Sequence, residues 1–178
     1  MSRRLRVDAA LALRLDGAPR TAPDAGLVTA GGTLRLGMGV ERLGGALAVT
    51  ALLPVRIDGN DASISLLRVP IDLLFVVAGR WGRVELAGEA GLATAILRAR
   101  AGTVENRRLV EGEAEHRLEV GARAGGELRV YLTKRFAAVL GLHAAWFPVA
   151  YELRAPGLST TTPALWLGAT LGLMRRMR

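Results

Sequence analysis

The 178-residue sequence has no cysteine, and it has no uninterrupted apolar run of the roughly 18 residues that a membrane helix requires. Without cysteine, the chain can hold no disulfide, thiolate zinc site, iron–sulfur cluster or cysteine nucleophile. Hydrophobic residues nevertheless make up 51% of the chain, and the mean hydropathy is +0.28. The apolar residues are therefore plentiful but dispersed, and the fold must explain this combination.

Residues that carry chemistry are also scarce. The two histidines, His116 and His143, have no recognisable partner motif, and we expect both to be structural. The stretch from Ser159 to Thr162 lacks the GxSxG context of a hydrolase nucleophile. GGTLRLGMG, residues 31–39, lacks the Lys-Ser/Thr of a phosphate-binding loop. The sequence therefore predicts no catalytic residue, no metal site and no cofactor, and it does not predict an enzyme.

The formal net charge is +8 and the sequence pI is about 11.3. Such a surplus of positive charge suggests a nucleic acid or an anionic lipid as partner. The basic residues, however, are scattered through alternating segments and form no long run and no helical stripe. The richness in Ala, Arg and Gly is also typical of a GC-rich genome. We therefore predict no nucleic-acid partner.

The dominant pattern is an alternation of apolar residues with other residues. In RLRVDAALALRLD, residues 4–16, every odd position is apolar, and Arg6, Asp8, Arg14 and Asp16 lie on even positions. Period-two alternation is typical of β-strands, and we expect the charges of this first strand to lie near its two rims. Helices fit poorly because most windows contain Gly or Pro. The pattern recurs in eight segments, at residues 3–16, 28–42, 46–57, 63–77, 83–98, 115–132, 136–153 and 164–174.

The two faces of these segments differ in a way that suits a membrane barrel. One face is bulky and apolar, whereas the other mixes Gly, Ala and Thr with charges of both signs, which suits the interior of a narrow barrel. A bilayer accepts only helices and closed barrels, and a barrel strand crosses it with about 9–11 residues. The predicted fold is an all-β, eight-stranded antiparallel up-and-down transmembrane β-barrel, as a single domain over residues 1–178. The predicted lumen charge network comprises Arg68, Asp72, Glu85, Glu89, Arg117, Glu119, Arg123, Glu127 and Arg129. The predicted lipid-facing residues include Leu11, Leu13, Leu36, Val69, Ile71, Leu73, Leu92, Leu167 and Leu171.

Connection lengths alternate as they do in outer-membrane barrels, except for the turn at 58–61, a short connection on the side of the long ones. Short turns are predicted at 44–45, 78–82 and 133–135, and longer connections at 17–27, 99–114 and 154–163. Aromatic residues are few, but they cluster near the two predicted ends, as the aromatic girdles of a membrane barrel do. The predicted interface aromatics are Phe75, Trp81, Phe136, Trp146 and Tyr151.

Taken together, these segments resemble the small eight-stranded outer-membrane proteins of the OmpA-type transmembrane barrel class. The stretch GLHAAWFPVAYELRAPGLSTTTPALWLGATLGL also resembles uncharacterised barrel-like proteins of GC-rich Gram-negative bacteria. The resemblance implies an outer-membrane location, the lipid bilayer as partner, a monomer, and a structural or loop-mediated binding role. The sequence departs from this class at its end, Met-Arg-Arg-Met-Arg, where such barrels commonly end in an aromatic residue.

The residues leave two alternative functions open. The interior charges either close the lumen as a salt-bridged plug, which eight strands favour, or form a narrow path for small ions. A soluble lipocalin-like barrel would instead point its leucines and valines inward and bind an apolar ligand. The N-terminus carries no secretory signal pattern, since Asp8 and Arg14 interrupt the apolar region. An exported chain of this sequence is therefore expected to be a mature form, a truncation or part of a longer product.

Overall fold

The computed structural model describes residues 5–19, 27–40, 42–58, 62–105, 108–155 and 158–177, apart from the side chains of 103–112. Nearly all of these residues lie in β-strands. In chain order the strands are β1 (Leu5–Gly17), β2 (Val28–Val40), β3 (Leu43–Leu52), β4 (Val55–Asp58), β5 (Ala62–Trp81), β6 (Val84–Glu105), β7 (Arg108–Tyr131), β8 (Phe136–Trp146), β9 (Glu152–Ala155), β10 (Leu158–Thr161) and β11 (Leu165–Met177).

Eight of these strands close into one antiparallel barrel, which confirms the predicted fold. The order β3-β2-β1-β11-β8-β7-β6-β5 runs once around the sheet, and β3 pairs with β5 to close it. The closing register runs from Leu43 opposite Val77 to Val49 opposite Ile71. Closure satisfies the backbone hydrogen bonds of the wall between neighbouring strands, as a lipid environment demands.

Among the residues that the structure describes, no helix has the length and apolar character needed to cross a membrane.

The strands β6 and β7 extend beyond the predicted fifth and sixth segments, 83–98 and 115–132. The sequence pattern assigned residues 99–114 to a loop, but β6 continues to Glu105 and β7 begins at Arg108. A register shift between Arg100 and Gly102 lets the two strands continue pairing beyond the region of regular alternation. The polar composition of this segment reflects its position beyond the apolar part of the wall, and it does not prevent strand pairing.

The predicted third and seventh segments are each divided in the structure. The third, residues 46–57, breaks after Leu52, and the short strand β4 then pairs with β5 alone. The seventh, residues 136–153, stops at Trp146, two residues before Pro148, which has no N–H for the ladder. The chain then forms the β9–β10 hairpin, which lies within the connection predicted at 154–163 and just before it.

The barrel wall is taller on one side than on the other. The short-turn end carries the connections from β2 to β3, from β5 to β6 and from β7 to β8. The turn predicted at 44–45 is wrong, because Gly44 and Gly45 lie in β3 and pair with Gly39 and Met38. At the opposite, long-loop end, β7 pairs with β6 along almost its whole length but with β8 only from Ala122 to Tyr131. One side of the wall, formed by β4 to β7, therefore rises above the other. The β9–β10 hairpin packs against this taller side through Leu153, which lies in an apolar cluster with Ile64, Leu66 and Leu97.

The bulky apolar side chains lie on the outside of the wall. Leu11, Leu13 and Leu171 are 69%, 72% and 61% exposed. The inside instead holds small residues, such as Ala46 and Ala137, and a large set of polar groups, most of them buried. We call the exposed apolar face of the barrel strands the apolar belt; it includes Leu11, Leu13, Leu34, Leu36, Leu47, Leu73, Leu92, Val120, Leu140, Leu142, Leu167, Leu171 and Leu173.

One glycine of β6 is required by the close approach of neighbouring strands. A Cβ at Gly91 would overlap the backbone carbonyl of Leu73, whereas a Cβ at Gly88 in the same strand would have no atom within 4 Å. We expect Gly91→Ala to lower the free energy of unfolding by about 1–3 kcal/mol, because the wall must shift to admit the methyl group. Gly88→Ala is the matched control and should leave the stability nearly unchanged. Urea unfolding of the detergent-refolded variants measures both, and equal midpoints would contradict the proposed overlap.

Candidate functional site in the barrel lumen

A balanced set of charged side chains fills the lumen. Period-two alternation places them on the inner face of the wall, opposite the apolar belt. Each belongs to a chain of ion pairs that we call the lumen ladder. Its seven arginines are Arg6, Arg14, Arg35, Arg68, Arg123, Arg129 and Arg176, and its seven carboxylates are Asp8, Asp16, Asp72, Glu85, Glu89, Glu119 and Glu127. The ladder therefore carries no net formal charge.

Glu85 is the centre of the ladder at the short-turn end. Its carboxylate accepts hydrogen bonds from Arg129 Nη1 at 2.7 Å, Tyr131 Oη at 3.0 Å and Arg176 Nη2 at 3.1 Å. Arg6 Nη2 lies 3.2 Å from the same carboxylate. The side chain of Glu85 is only 2% exposed, so these donors replace nearly all of the water that it would bind in solution.

The ladder continues through the middle of the lumen by alternating charges. Arg129 Nη2 donates to Glu127 at 2.6 Å, and Glu127 also accepts from Arg35. Arg35 lies 3.1 Å from Glu89, which in turn accepts from Arg123 Nη2 at 2.8 Å. Each arginine here has two carboxylate neighbours, so its charge is neutralised by more than one ion pair.

Towards the long-loop end the ladder gains neutral hydrogen-bonding partners. Arg14 lies 3.2 Å from Asp72 and donates from Nε to Asp16 at 2.8 Å. Its Nη1 also donates to the Thr50 hydroxyl at 3.2 Å. His143 Nε2 lies 3.0 Å from Asp16, which is fully buried. Polar contacts inside the lumen thus link β8 to β1 and β1 to β5.

Aromatic rings close the ladder beneath the long loops. Arg68 Nε donates to Glu119 at 3.1 Å, and its guanidinium lies 4.6 Å from the ring centroid of Phe147 and 4.7 Å from that of Trp166. These two rings are 1% and 2% exposed. A guanidinium stacked between aromatic faces is held in place without water.

Two small cavities lie beside the ladder. A cavity near Arg6, Asp8 and Arg129 measures about 20 Å³, and another near Arg14, Arg123 and Glu127 measures about 30 Å³. Each has room for about one water molecule. The charged side chains of the ladder line both cavities.

Most residues of the predicted lumen network lie in the ladder, but Arg117 lies outside it. Its side chain is 55% exposed and pairs at 3.2 Å with Glu115. Arg117 shares the inward parity of the buried Glu119, two residues further along β7, but it lies where the hairpin has risen above the barrel rim. The predicted assignment of Arg117 to the lumen is therefore wrong: the residue belongs to the inner face of β7, but it lies above the barrel rim.

The ladder also contains residues that the sequence reasoning placed elsewhere. Arg14 and Asp16 were expected near a rim and were not assigned to the network; they lie towards the long-loop end of β1 and are 2% and 0% exposed inside the barrel. Arg35 and Arg176 were not singled out. The alternation of β2 and β11 places both of them on the face opposite the leucines, and this signal could have identified them. His143 lies in the ladder beside Asp16, whereas His116 is exposed on β7.

The residues predicted to face lipid or the membrane interface are exposed or half-buried in the structure. Seven of the nine predicted lipid-facing residues are exposed, whereas Val69 and Ile71 are half-buried. Of the predicted interface aromatics, Phe75, Trp81, Phe136 and Trp146 are exposed; Tyr151 is half-buried and donates its hydroxyl to the Leu118 carbonyl at 2.8 Å.

A second feature lies at the long-loop end, between the β6–β7 hairpin and the β9–β10 hairpin. This outer cleft measures about 240 Å³ and has Ile64 and Leu153 in its floor. Its charged walls contain Glu113, Glu115, Arg117, Glu152 and Arg154. The Arg154 guanidinium and the Ser159 hydroxyl both bond to Glu152, and they hold the pKa of that carboxyl below its usual value.

No family model matches the chain, and no curated protein matches it. Among solved structures, it is similar to OprG from Pseudomonas aeruginosa, an outer-membrane protein, at 11% identity and a TM-score of 0.67, with 98% of this chain and 95% of that one covered. A major outer-membrane protein from Thermus thermophilus has 15% identity, a TM-score of 0.65 and coverages of 95% and 99%. Ail, the attachment invasion locus protein of Yersinia pestis, in complex with the heparin analogue sucrose octasulfate, has 12% identity, a TM-score of 0.59 and coverages of 99% and 100%. The chain therefore has the fold of the small outer-membrane barrels, as the resemblance implied.

Proposed function

We propose that this chain, having the fold of the small outer-membrane barrels, is an integral outer-membrane protein with a closed lumen and a binding surface on its long loops. The observation that carries the proposal is the lumen ladder, a connected chain of paired charges that runs from Glu85 at the short-turn end to Glu119 beneath the long loops. The role is structural and binding, and no enzymatic step is proposed. A closed barrel leaves no open edge in its spanning wall, so the proposed unit is a monomer.

The apolar belt supports a bilayer as the surrounding medium. A contiguous band of exposed leucines would be unfavourable in water, and it matches the outward apolar band of a membrane barrel. The same exposures argue against the alternative of a soluble lipocalin-like barrel, which needs these leucines inside, where Arg14, Glu85 and Arg129 lie.

The ladder favours a plug over an ion path. An ion that crossed the lumen would have to separate pairs such as Arg123–Glu89 and Arg129–Glu127, whose side chains are at most 8% exposed. The cavities beside them, of about 20 and 30 Å³, do not provide a hydrated route.

The proposed binding surface is the outer cleft between the two hairpins. Two arginine–carboxylate pairs, Arg117–Glu115 at 3.2 Å and Arg154–Glu152 at 2.6 Å, stand over an apolar floor. Such a site offers charges of both signs next to apolar surface, which suits a short segment of peptide better than a purely apolar molecule.

Heat-dependent gel mobility tests the membrane barrel. Refolded into detergent, the chain is expected to migrate differently in SDS before and after boiling, with a β-type circular dichroism spectrum only when detergent is present, because the closed wall resists SDS until heated. Identical mobilities, together with a folded monomer in plain buffer, would refute the proposal.

Planar-bilayer recording tests the closed lumen, and we expect no steady open conductance from the wild-type barrel. Arg14→Ser with Asp72→Ser removes one cation and one anion from mid-lumen, so the balance is kept while space is opened, and we expect measurable conductance. The control pair is Arg56→Ser with Asp58→Ser, whose partners lie 3.1 Å apart but are 53% and 68% exposed. Steady conductance in the wild type would favour the narrow ion path instead.

A further inference from the structure

The balance of the lumen ladder has a consequence for the outside of the barrel. Since the ladder carries no net formal charge, the whole formal charge of +8 belongs to residues outside it. This excess is unevenly placed. The acidic side chains that the structure describes outside the ladder, Asp58, Glu113, Glu115 and Glu152, all lie at the long-loop end.

The short-turn end, by contrast, exposes only basic residues among the charged ones described there. Arg42, Arg83, Lys134 and Arg135 are exposed in its turns, and Arg80 and Arg175 are exposed at the adjoining strand ends. We call these six residues the basic rim. Outside the described residues, the sequence next to the same strand ends adds Arg3, Arg4 and Arg178 and one carboxylate, Glu41.

Three arginines of the long-loop end are neutralised by neighbouring carboxylates, whereas the four turn residues of the basic rim are not. Arg56 pairs with Asp58 at 3.1 Å, Arg117 with Glu115 at 3.2 Å and Arg154 with Glu152 at 2.6 Å. Within the described part of the chain, no Asp or Glu side chain forms an ion pair with Arg42, Arg83, Lys134 or Arg135. Their positive charge is therefore available to a partner.

The position of the basic rim along the barrel identifies that partner. The Arg175 guanidinium lies 5.9 Å from the ring centroid of Phe136, which faces outward and is 44% exposed. Trp81, 65% exposed, lies between Arg80 and Arg83 in the same turn region. Exposed aromatics at the edge of an apolar belt mark the depth of the lipid headgroups. The rim charges therefore lie at headgroup depth and not in the bulk solvent.

We propose that the basic rim binds the anionic phospholipid headgroups of the leaflet at the short-turn end and so anchors that end of the barrel at the bilayer surface. The inference rests on the proposed membrane location. Basic residues close to an anionic bilayer surface gain a salt-sensitive attraction, and several such residues add their effects. At the long-loop end, carboxylates offset the arginines, so that end has no comparable excess of positive charge.

Folding equilibria in vesicles of two compositions test the anchor. The full chain is refolded into phosphatidylcholine vesicles and into mixed phosphatidylcholine–phosphatidylglycerol vesicles, and urea unfolding is followed by tryptophan fluorescence and unboiled gel mobility. We expect the folding constant to be roughly tenfold larger in the anionic vesicles at low salt, and most of this gain to disappear at high salt.

The rim variant Arg42→Gln/Arg83→Gln/Lys134→Gln/Arg135→Gln should fold but lose most of the anionic gain. The milder Lys134→Gln/Arg135→Gln should lose about half of it, and it keeps the test decisive if the fourfold variant folds poorly. The control replaces Arg56, Arg117 and Arg154 with Gln, together with Asp58→Asn, Glu115→Gln and Glu152→Gln, and should retain the full gain because no net charge is removed.

The possible outcomes separate this inference from the function on which it rests. A wild-type gain that survives in both rim variants overturns the anchor. A chain that folds equally well in both vesicles also overturns it but leaves the membrane barrel intact. Protection by soluble polyphosphate in neutral vesicles, without any gain from phosphatidylglycerol, assigns the rim to a soluble anionic partner and overturns it too. Absence of a heat-dependent mobility shift in every vesicle refutes the proposed function itself.

Discussion

Replacing Glu85 with glutamine is expected to lower the free energy of unfolding of the barrel by about 3–5 kcal/mol, among the largest effects of a single substitution in the lumen. Glutamine has nearly the same shape but no charge. Arg129, whose side chain is 2% exposed, would then keep only Glu127 as a carboxylate partner, and Arg6 and Arg176 would lose a shared partner. The buried cluster would have one counter-charge fewer than it has arginines, which is costly because little water can reach it.

Glu115→Gln is the matched control for this substitution. It also removes a carboxylate from an arginine pair, but both side chains are more than half exposed, and the cost should stay within about 0.5 kcal/mol. Urea unfolding in detergent micelles, read by unboiled gel mobility, measures both variants. If Glu85→Gln is no more costly than Glu115→Gln, the ladder is not a stabilising network.

A double-mutant cycle separates the Glu85–Arg129 pair from the other partners of Glu85. Arg129→Leu in the Glu85→Gln background removes one of the cations that Glu85 balanced and makes the ladder neutral again, so it should recover part of the lost stability. Additive losses would instead mean that Arg6 and Arg176 are the main partners of Glu85.

Replacing Leu171 with arginine is the second change expected to have a large effect, with a loss of about 2–4 kcal/mol when the barrel is folded in a bilayer. Leu171 lies in the middle of β11, 61% exposed on the outer face, opposite Leu13 and Leu140. A guanidinium at that depth must leave water or distort the lipid around it. The same substitution on a water-facing surface would cost little.

Two alanine substitutions identify the medium on each side of the wall. Leu171→Ala should be mild, because lipid fills the space of a side chain that was packed mainly against lipid. Ile64→Ala, at a site 1% exposed beneath the β9–β10 hairpin, should cost about 2–5 kcal/mol, because protein must collapse around the cavity. Unfolding in phosphatidylcholine vesicles measures all three variants. A tolerated Leu171→Arg beside a costly Leu171→Ala would mean that the belt packs against protein.

The sequence by itself determined the number of barrel strands and the direction of their faces. Alternation is local: the pleat sends neighbouring side chains to opposite sides, so a run such as residues 4–16 specifies a strand and its two surfaces without any partner. The separation of apolar and charged faces, and the absence of a helix-length apolar run, then favoured a closed barrel in lipid.

Only the tertiary structure decided which charges meet and where the membrane-spanning wall ends. Asp16 and His143 are separated by 127 positions, and Arg35 and Glu127 by 92, and no local pattern links them. Arg117 and Glu119 share one strand and one parity, yet only Glu119 is buried, because Glu119 pairs with Arg68 inside the barrel whereas Arg117 pairs with Glu115 in the outer cleft. The alternation of side chains between two faces is a property of one strand. The register between strands and the height of the wall depend on the closure of all eight barrel strands. Closure therefore brought charges that are scattered in the sequence together in one ladder.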